Sequence, residues 1–151
     1  MIRRIQTILA ITLAAAAFPP LLSEAATAQP KSLAEVQEFA FGGVGAAGIP
    51  SQGEGFFRSV MEEKDALTTF RNILNKGTPA AKLYALCGIR LLAQKDFDAT
   101  AAPLLKSNET VTTVRGCMLT NERVGEVAGQ ISQGAWDIPL KSPRFAPPNQ
   151  K

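Results

Sequence analysis

The residues that could do chemistry are few, and the absent ones are as telling as the present ones. The 151-residue chain has no histidine. A Ser-His-Asp triad, a Cys-His dyad and an imidazole-based zinc site therefore have no residue to build on. A serine nucleophile would need a lysine base, and no S-x-x-K spacing occurs in the chain. Asp96-Phe97-Asp98 has the start of a calcium loop but not its later acidic ligands or closing glutamate, so it reads as a helix cap. Neither a metal site nor a bound cofactor is expected.

The densest concentration of unusual residues is Phe41 to Phe57. Gly43-Val-Gly-Ala-Ala-Gly48 satisfies G-x-G-x-x-G, in which glycines bring backbone N–H groups against a pyrophosphate at a helix start. The context speaks against a dinucleotide. Ile49-Pro50 breaks the chain immediately afterwards, and no βαβ pattern with a downstream acidic residue follows. A glycine-rich loop that faces a ligand or partner is the better functional reading. Its candidate residues are Phe41, Gly43, Gly45, Gly48, Ser51, Glu54, Phe57 and Arg58. The alternative chemistry is an enzyme without histidine that uses Glu54, Arg58 and this loop.

The two cysteines are expected to pair. Cys87 precedes Gly88 and Cys117 follows Gly116, so each sulfur has a neighbour without a side chain and two backbones could approach to bonding distance. Such a bridge would stabilise by about 3–4 kcal/mol. The alternative is two free thiols that behave as small hydrophobes.

That pairing makes sense only in an oxidising compartment, and the N-terminus points to one. Arg3-Arg4, the apolar run Ile8–Phe18 and the small residues Ala26-Thr27-Ala28 have the order of a secretory signal. Cleavage is expected after Ala28, with Ala25 as second choice. The competing reading is an uncleaved anchor helix, but the run is shorter than a span needs and Pro19-Pro20 interrupts it. Residues 1–28 are thus a signal peptide, 29–137 a domain and 138–151 a proline-rich tail. The expected location is secreted or periplasmic, with no stable membrane anchor after cleavage. Removing Arg3, Arg4 and Glu24 leaves 14 basic and 12 acidic residues, and only 7% of the chain is aromatic. Nucleic acid is therefore not an expected partner; an unidentified protein or small molecule is.

The elements that must position these residues read as helices. Ser32-Leu-Ala-Glu35 and Ser51-Gln-Gly-Glu54 are capping boxes. Ala66, Leu67, Phe70, Ile73 and Leu74 mark an amphipathic helix closed by Lys76-Gly77. Thr78-Pro79 opens a helix that is apolar on nearly every face. Asp96 opens another helix through Leu105, and Thr120 one that carries Val124, Val127 and Ile131. Residues 110–119 remain open between strand and helix, because Val111-Thr-Thr-Val114 favours a strand. The expected fold is mainly α: an irregular bundle, or short stacked hairpins like HEAT repeats, with one disulfide. The alternative is α+β with a short strand pair near 36–41 and 111–118.

Phe41-Gly-Gly-Val-Gly45, Ser51-Gln-Gly-Glu54, Gly77-Thr-Pro-Ala80, Leu83-Tyr-Ala-Leu-Cys-Gly88 and Gly116-Cys117 together resemble a set of small exported bacterial proteins of uncharacterised activity. The resemblance spans most of residues 39–134. It implies export and a single helical domain, and it carries no catalytic residue. The expected function is a binding or interaction module of the cell envelope. The alternatives are the histidine-independent enzyme above or a structural or stress protein of the envelope.

Overall fold

A computed structural model describes residues 29–137. The expected signal segment and proline-rich tail lie outside these residues. A 3-10 turn at Leu33–Glu35 precedes strands β1 (Glu38–Phe39), β2 (Gly43–Val44) and β3 (Ile49–Pro50). Helices α1 (Gln52–Met61), α2 (Ala66–Lys76), α3 (Pro79–Leu92) and α4 (Phe97–Leu105) follow. Strands β4 (Thr110–Arg115) and β5 (Met118–Arg123) lead into helix α5 (Val124–Ser132).

The fold is α+β, which corrects the mainly-α expectation of a bundle or HEAT-like hairpins. The sheet order is β1-β4-β5, with β1 parallel and β5 antiparallel to β4. β-branched residues at five of six β4 positions favour the pleated backbone. Gly116, at φ +61°, is the first of only two turn residues between β4 and β5. A type II′ hairpin turn reserves that position for glycine, because its backbone twist matches that of the strands it joins. The pattern of residues 111–114 is local, but β1 lies about 70 residues upstream, so the sheet forms only in the tertiary fold.

The expected Cys87–Cys117 disulfide is likewise corrected. Both cysteines are free: Cys87 is fully buried in the middle of α3, whereas Cys117 is exposed in the β4–β5 turn. Their glycines serve other contacts. A Cβ on Gly88 would lie 2.4 Å from the Phe70 ring, so Gly88 lets α2 press against α3. Gly116 makes the hairpin turn.

Helix α3 is the hub, with every residue from Leu83 to Ile89 buried. Thr78 caps it by accepting the Ala81 N–H at 3.1 Å, and its hydroxyl donates to the Val36 carbonyl. Ser51 caps α1 through the Glu54 N–H, but the Glu54 carboxylate turns to Gly42 and Arg58, so the expected capping box is only half formed. Other expected caps differ. Ser32 makes no side-chain cap and leads only to the 3-10 turn. Asp96 instead pairs with Arg71 at 2.6 Å, joining α2 to α4. Thr120 lies within β5, and α5 starts after Arg123, whose side chain and N–H both reach the Glu126 carboxylate.

Candidate functional site: the β5 edge and the glycine-rich hairpin

The glycine-rich stretch forms a small antiparallel hairpin. Gly43 pairs with Pro50 and Val44 with Ile49. Gly45 and Gly48 take φ of +67° and +60° in the turn between them, a region open to glycine at little cost. A Cβ on Gly43 would lie 2.6 Å from the Gly48 carbonyl oxygen, so the two strands close on each other as glycine alone allows. The motif is thus strand-turn-strand and lacks the strand-turn-helix geometry of a pyrophosphate loop.

The aromatic candidates from this stretch face inward. Phe41 and Phe57 are buried, with ring centroids 5.1 Å apart and nearly perpendicular. Phe39, Tyr84 and Trp136 continue the cluster at edge-to-face distances of 4.8–4.9 Å from Phe39. Trp136 closes this end of the core, beneath the Arg115 guanidinium at 4.6 Å.

The polar candidates support the same core. Ser51 donates to the Ala40 carbonyl at 3.0 Å, and its hydroxyl lies 3.3 Å from that of Tyr84. Glu54 is 0% exposed; its carboxylate accepts the Gly42 N–H at 2.7 Å and Arg58 at 2.6 Å. This pairing locks the chain just before the hairpin onto α1. Burial pushes the Tyr84 phenol up to about 12, against the opposing pull of its hydrogen bonds to Ser51 and Ala40. Ser51, Glu54, Phe57 and Arg58 are therefore brought together with Phe41, while Gly43, Gly45 and Gly48 stand outside them in the hairpin.

What the structure leaves open is the other side of that hairpin. The Gly45 N–H donates to the Gly116 carbonyl at 2.9 Å, and Val44 bridges Gly116, so the tips of the two hairpins adjoin. Ile49, Met118 and Leu119, in the strands that run from these tips, are exposed by 64%, 70% and 66%, and Met118 and Leu119, being consecutive, stand on opposite faces of the sheet. β5 is also an edge of the sheet. Arg115–Met118 closes the two-residue turn as a hydrogen-bonded pair, and the antiparallel alternation then turns the backbone groups of Leu119 and Asn121 away from β4. Arg123 continues that alternation, since its N–H takes the Glu126 carboxylate rather than β4. An uninterrupted, uncharged stretch from Met118 to Asn121 thus presents free pairing groups, with one exposed large apolar side chain on each face of the strand. Natural proteins usually blunt such edges with charge, proline or a bulge.

Met118, Leu119, Ile49 and Tyr84 are not among the candidate residues of the glycine-rich stretch. The β-branched run followed by Gly116-Cys117 was a usable signal for a hairpin, but which of its strands lies at the edge depends on where β1 pairs.

No group of three or more metal-ligating side chains converges among the described residues, and none of their helices is long and apolar enough to cross a membrane. No protein-family model, curated protein or solved structure matches the chain.

Proposed function

We propose that the protein is an exported interaction module of the cell envelope, cleaved after Ala28, that takes an extended segment of a protein partner along the open edge of β5. The observation that carries this reading is the combination of free backbone groups at Leu119 and Asn121 with the exposed apolar side chains of Met118 and Leu119 on the two faces of the same strand. Strand addition draws affinity from backbone hydrogen bonds and specificity from the alternate side chains beside them. Met118 and Leu119 offer one exposed apolar side chain on each face of the edge strand for such contacts. Export supplies the setting, and the resemblance to small exported bacterial proteins agrees with it.

The histidine-independent enzyme is the weaker reading, because both carboxylate oxygens of Glu54 are engaged by the fold. The discriminating variant is Asn121→Pro, which removes one outward N–H without taking a donor from the β4 ladder. A partner cross-linked to the native chain in envelope extract, with the cross-link mapped to β5, should be lost from Asn121→Pro at unchanged melting temperature. Equal capture by both proteins, or cross-links mapped elsewhere, would overturn the assignment.

A further inference from the structure

We propose that the mature protein carries a modified N-terminus: after removal of residues 1–28, Gln29 closes on its own α-amino group to form a pyroglutamyl residue. The proposal rests on the export reading, which supplies the cleavage that makes Gln29 terminal.

Gln29 is exposed, so its side chain is free to fold back over the new amino group. The chain is tied down one residue later. The Pro30 carbonyl accepts a hydrogen bond from Gln52 Nε2 at 3.3 Å, which docks the start of the mature chain on the first turn of α1. Gln29 and Pro30 line a cleft of about 310 Å³ whose other walls include Glu38, Ser51, Gln52 and Gly53. The last three are the N-cap and first two residues of a ten-residue helix, whose backbone N–H groups give that end a partial positive charge. A terminal ammonium is disfavoured there, and the neutral amine is the nucleophile that cyclisation requires. Glu38 pulls the other way, because it would pair with a retained ammonium.

The step needs no co-reactant. The α-nitrogen attacks the side-chain amide carbon Cδ, a bond forms between them, and the bond from Cδ to Nε2 breaks. Nε2 leaves as ammonia with the proton given up by the attacking amine. The product is an uncharged lactam, and its amide resists aminopeptidases that need a free terminus.

The full chain, exported by a bacterial host with its own signal, is labelled at free amines on recovery and its N-terminal peptide is weighed. The expected peptide starts at residue 29, is labelled at Lys31 but not at its α-nitrogen, and is lighter than the glutamine form by one ammonia; Gln29→Ala gives a labelled, sequenceable terminus. An intact, labelled Gln29 overturns the lactam while leaving cleavage after Ala28 standing. A terminus at any other residue overturns both. For a chain that begins at uncyclised Gln29, cyclisation should run several-fold faster in the folded protein than in guanidinium. A folded rate no higher than the unfolded one would overturn the part assigned to α1.

Discussion

The Tyr84 hydroxyl holds both polar backbone groups of Ala40 at once, donating to the carbonyl at 2.6 Å and accepting the N–H at 2.9 Å. One side chain of the central helix thereby satisfies a buried residue that has left the β1 ladder and not yet reached β2. A second hydroxyl, from Ser51, donates to the same carbonyl. The irregular stretch between the two strands is therefore held by side chains from α3 and from the cap of α1, where a sheet would use its own backbone.

Tyr84→Phe keeps the ring in the aromatic cluster and removes the hydroxyl, leaving the Ala40 N–H without its acceptor. A buried donor left unmade costs about 1–3 kcal/mol. Guanidinium unfolding should show a free energy lowered by that amount, through a lower midpoint with little change in slope. An unchanged midpoint would mean that water replaces the hydroxyl.

Alkaline pH probes the same group. The folded phenol is raised to about 12 from its ordinary 10 by burial, so below pH 10 both states are neutral and its contribution is complete. Between pH 10 and 12 only the unfolded phenol ionises, and stability falls by about 1.4 kcal/mol per pH unit, roughly 2–3 kcal/mol in all. Burial also pushes the Cys87 thiol up, so its loss begins above the ordinary thiol value of 9 and has the same sign. Unfolding free energies measured from pH 8 to 12 should steepen accordingly. In Tyr84→Phe the slope above pH 10 should lose one proton's worth.

Glu54 is the buried polar residue whose removal should cost most. Glu54→Ala deletes the acceptor for both the Gly42 N–H and Arg58, while Glu54→Gln keeps an acceptor for one of them. Breaking a buried pair costs about 3–5 kcal/mol, and the lower figure applies here because the Arg58 side chain is partly exposed. The alanine variant should therefore lose about 3 kcal/mol in chemical denaturation and the glutamine variant less. Equal losses would show that the charge contributes nothing.

Two glycine substitutions should have opposite signs. Gly88→Ala drives a methyl to 2.4 Å from the buried Phe70 ring and should destabilise by about 1–3 kcal/mol or more. At Gly129, in α5, the nearest atom to a new Cβ would be a Leu105 methyl at 3.9 Å. Alanine there makes ordinary contact and should gain about 0.5–1 kcal/mol from helix propensity. Thermal melts of the two variants check both signs together.

The cysteines should react in two separate phases. Cys117 is exposed and should be modified by a thiol reagent in the native protein, whereas Cys87, buried and with its thiol held protonated, should react only after unfolding. A denatured, unreduced monomer with no free thiol would restore the disulfide.

Residue order by itself determined the features that depend on neighbours in the chain. Thr78-Pro79 opens α3, Ser51 caps α1, Gly77 stops α2, and the apolar spacing of Ala66, Phe70 and Ile73 makes α2 amphipathic; each works within about one helical turn. Only the tertiary structure decided the rest. Val111–Val114 becomes the centre of a sheet because Glu38 and Phe39 arrive from far upstream to pair with Thr112 and Thr113. Glycines flank both cysteines, yet one serves a helix-helix contact and the other a turn, which only the packing distinguishes. Phe41, Phe57 and Glu54, singled out for a ligand, are drawn into the core because the aromatic cluster and the Gly42 N–H lie there to receive them. The open edge of β5 was the least legible feature of all. Exposure of a strand is set by which segments pair elsewhere, and no local pattern of residues records that.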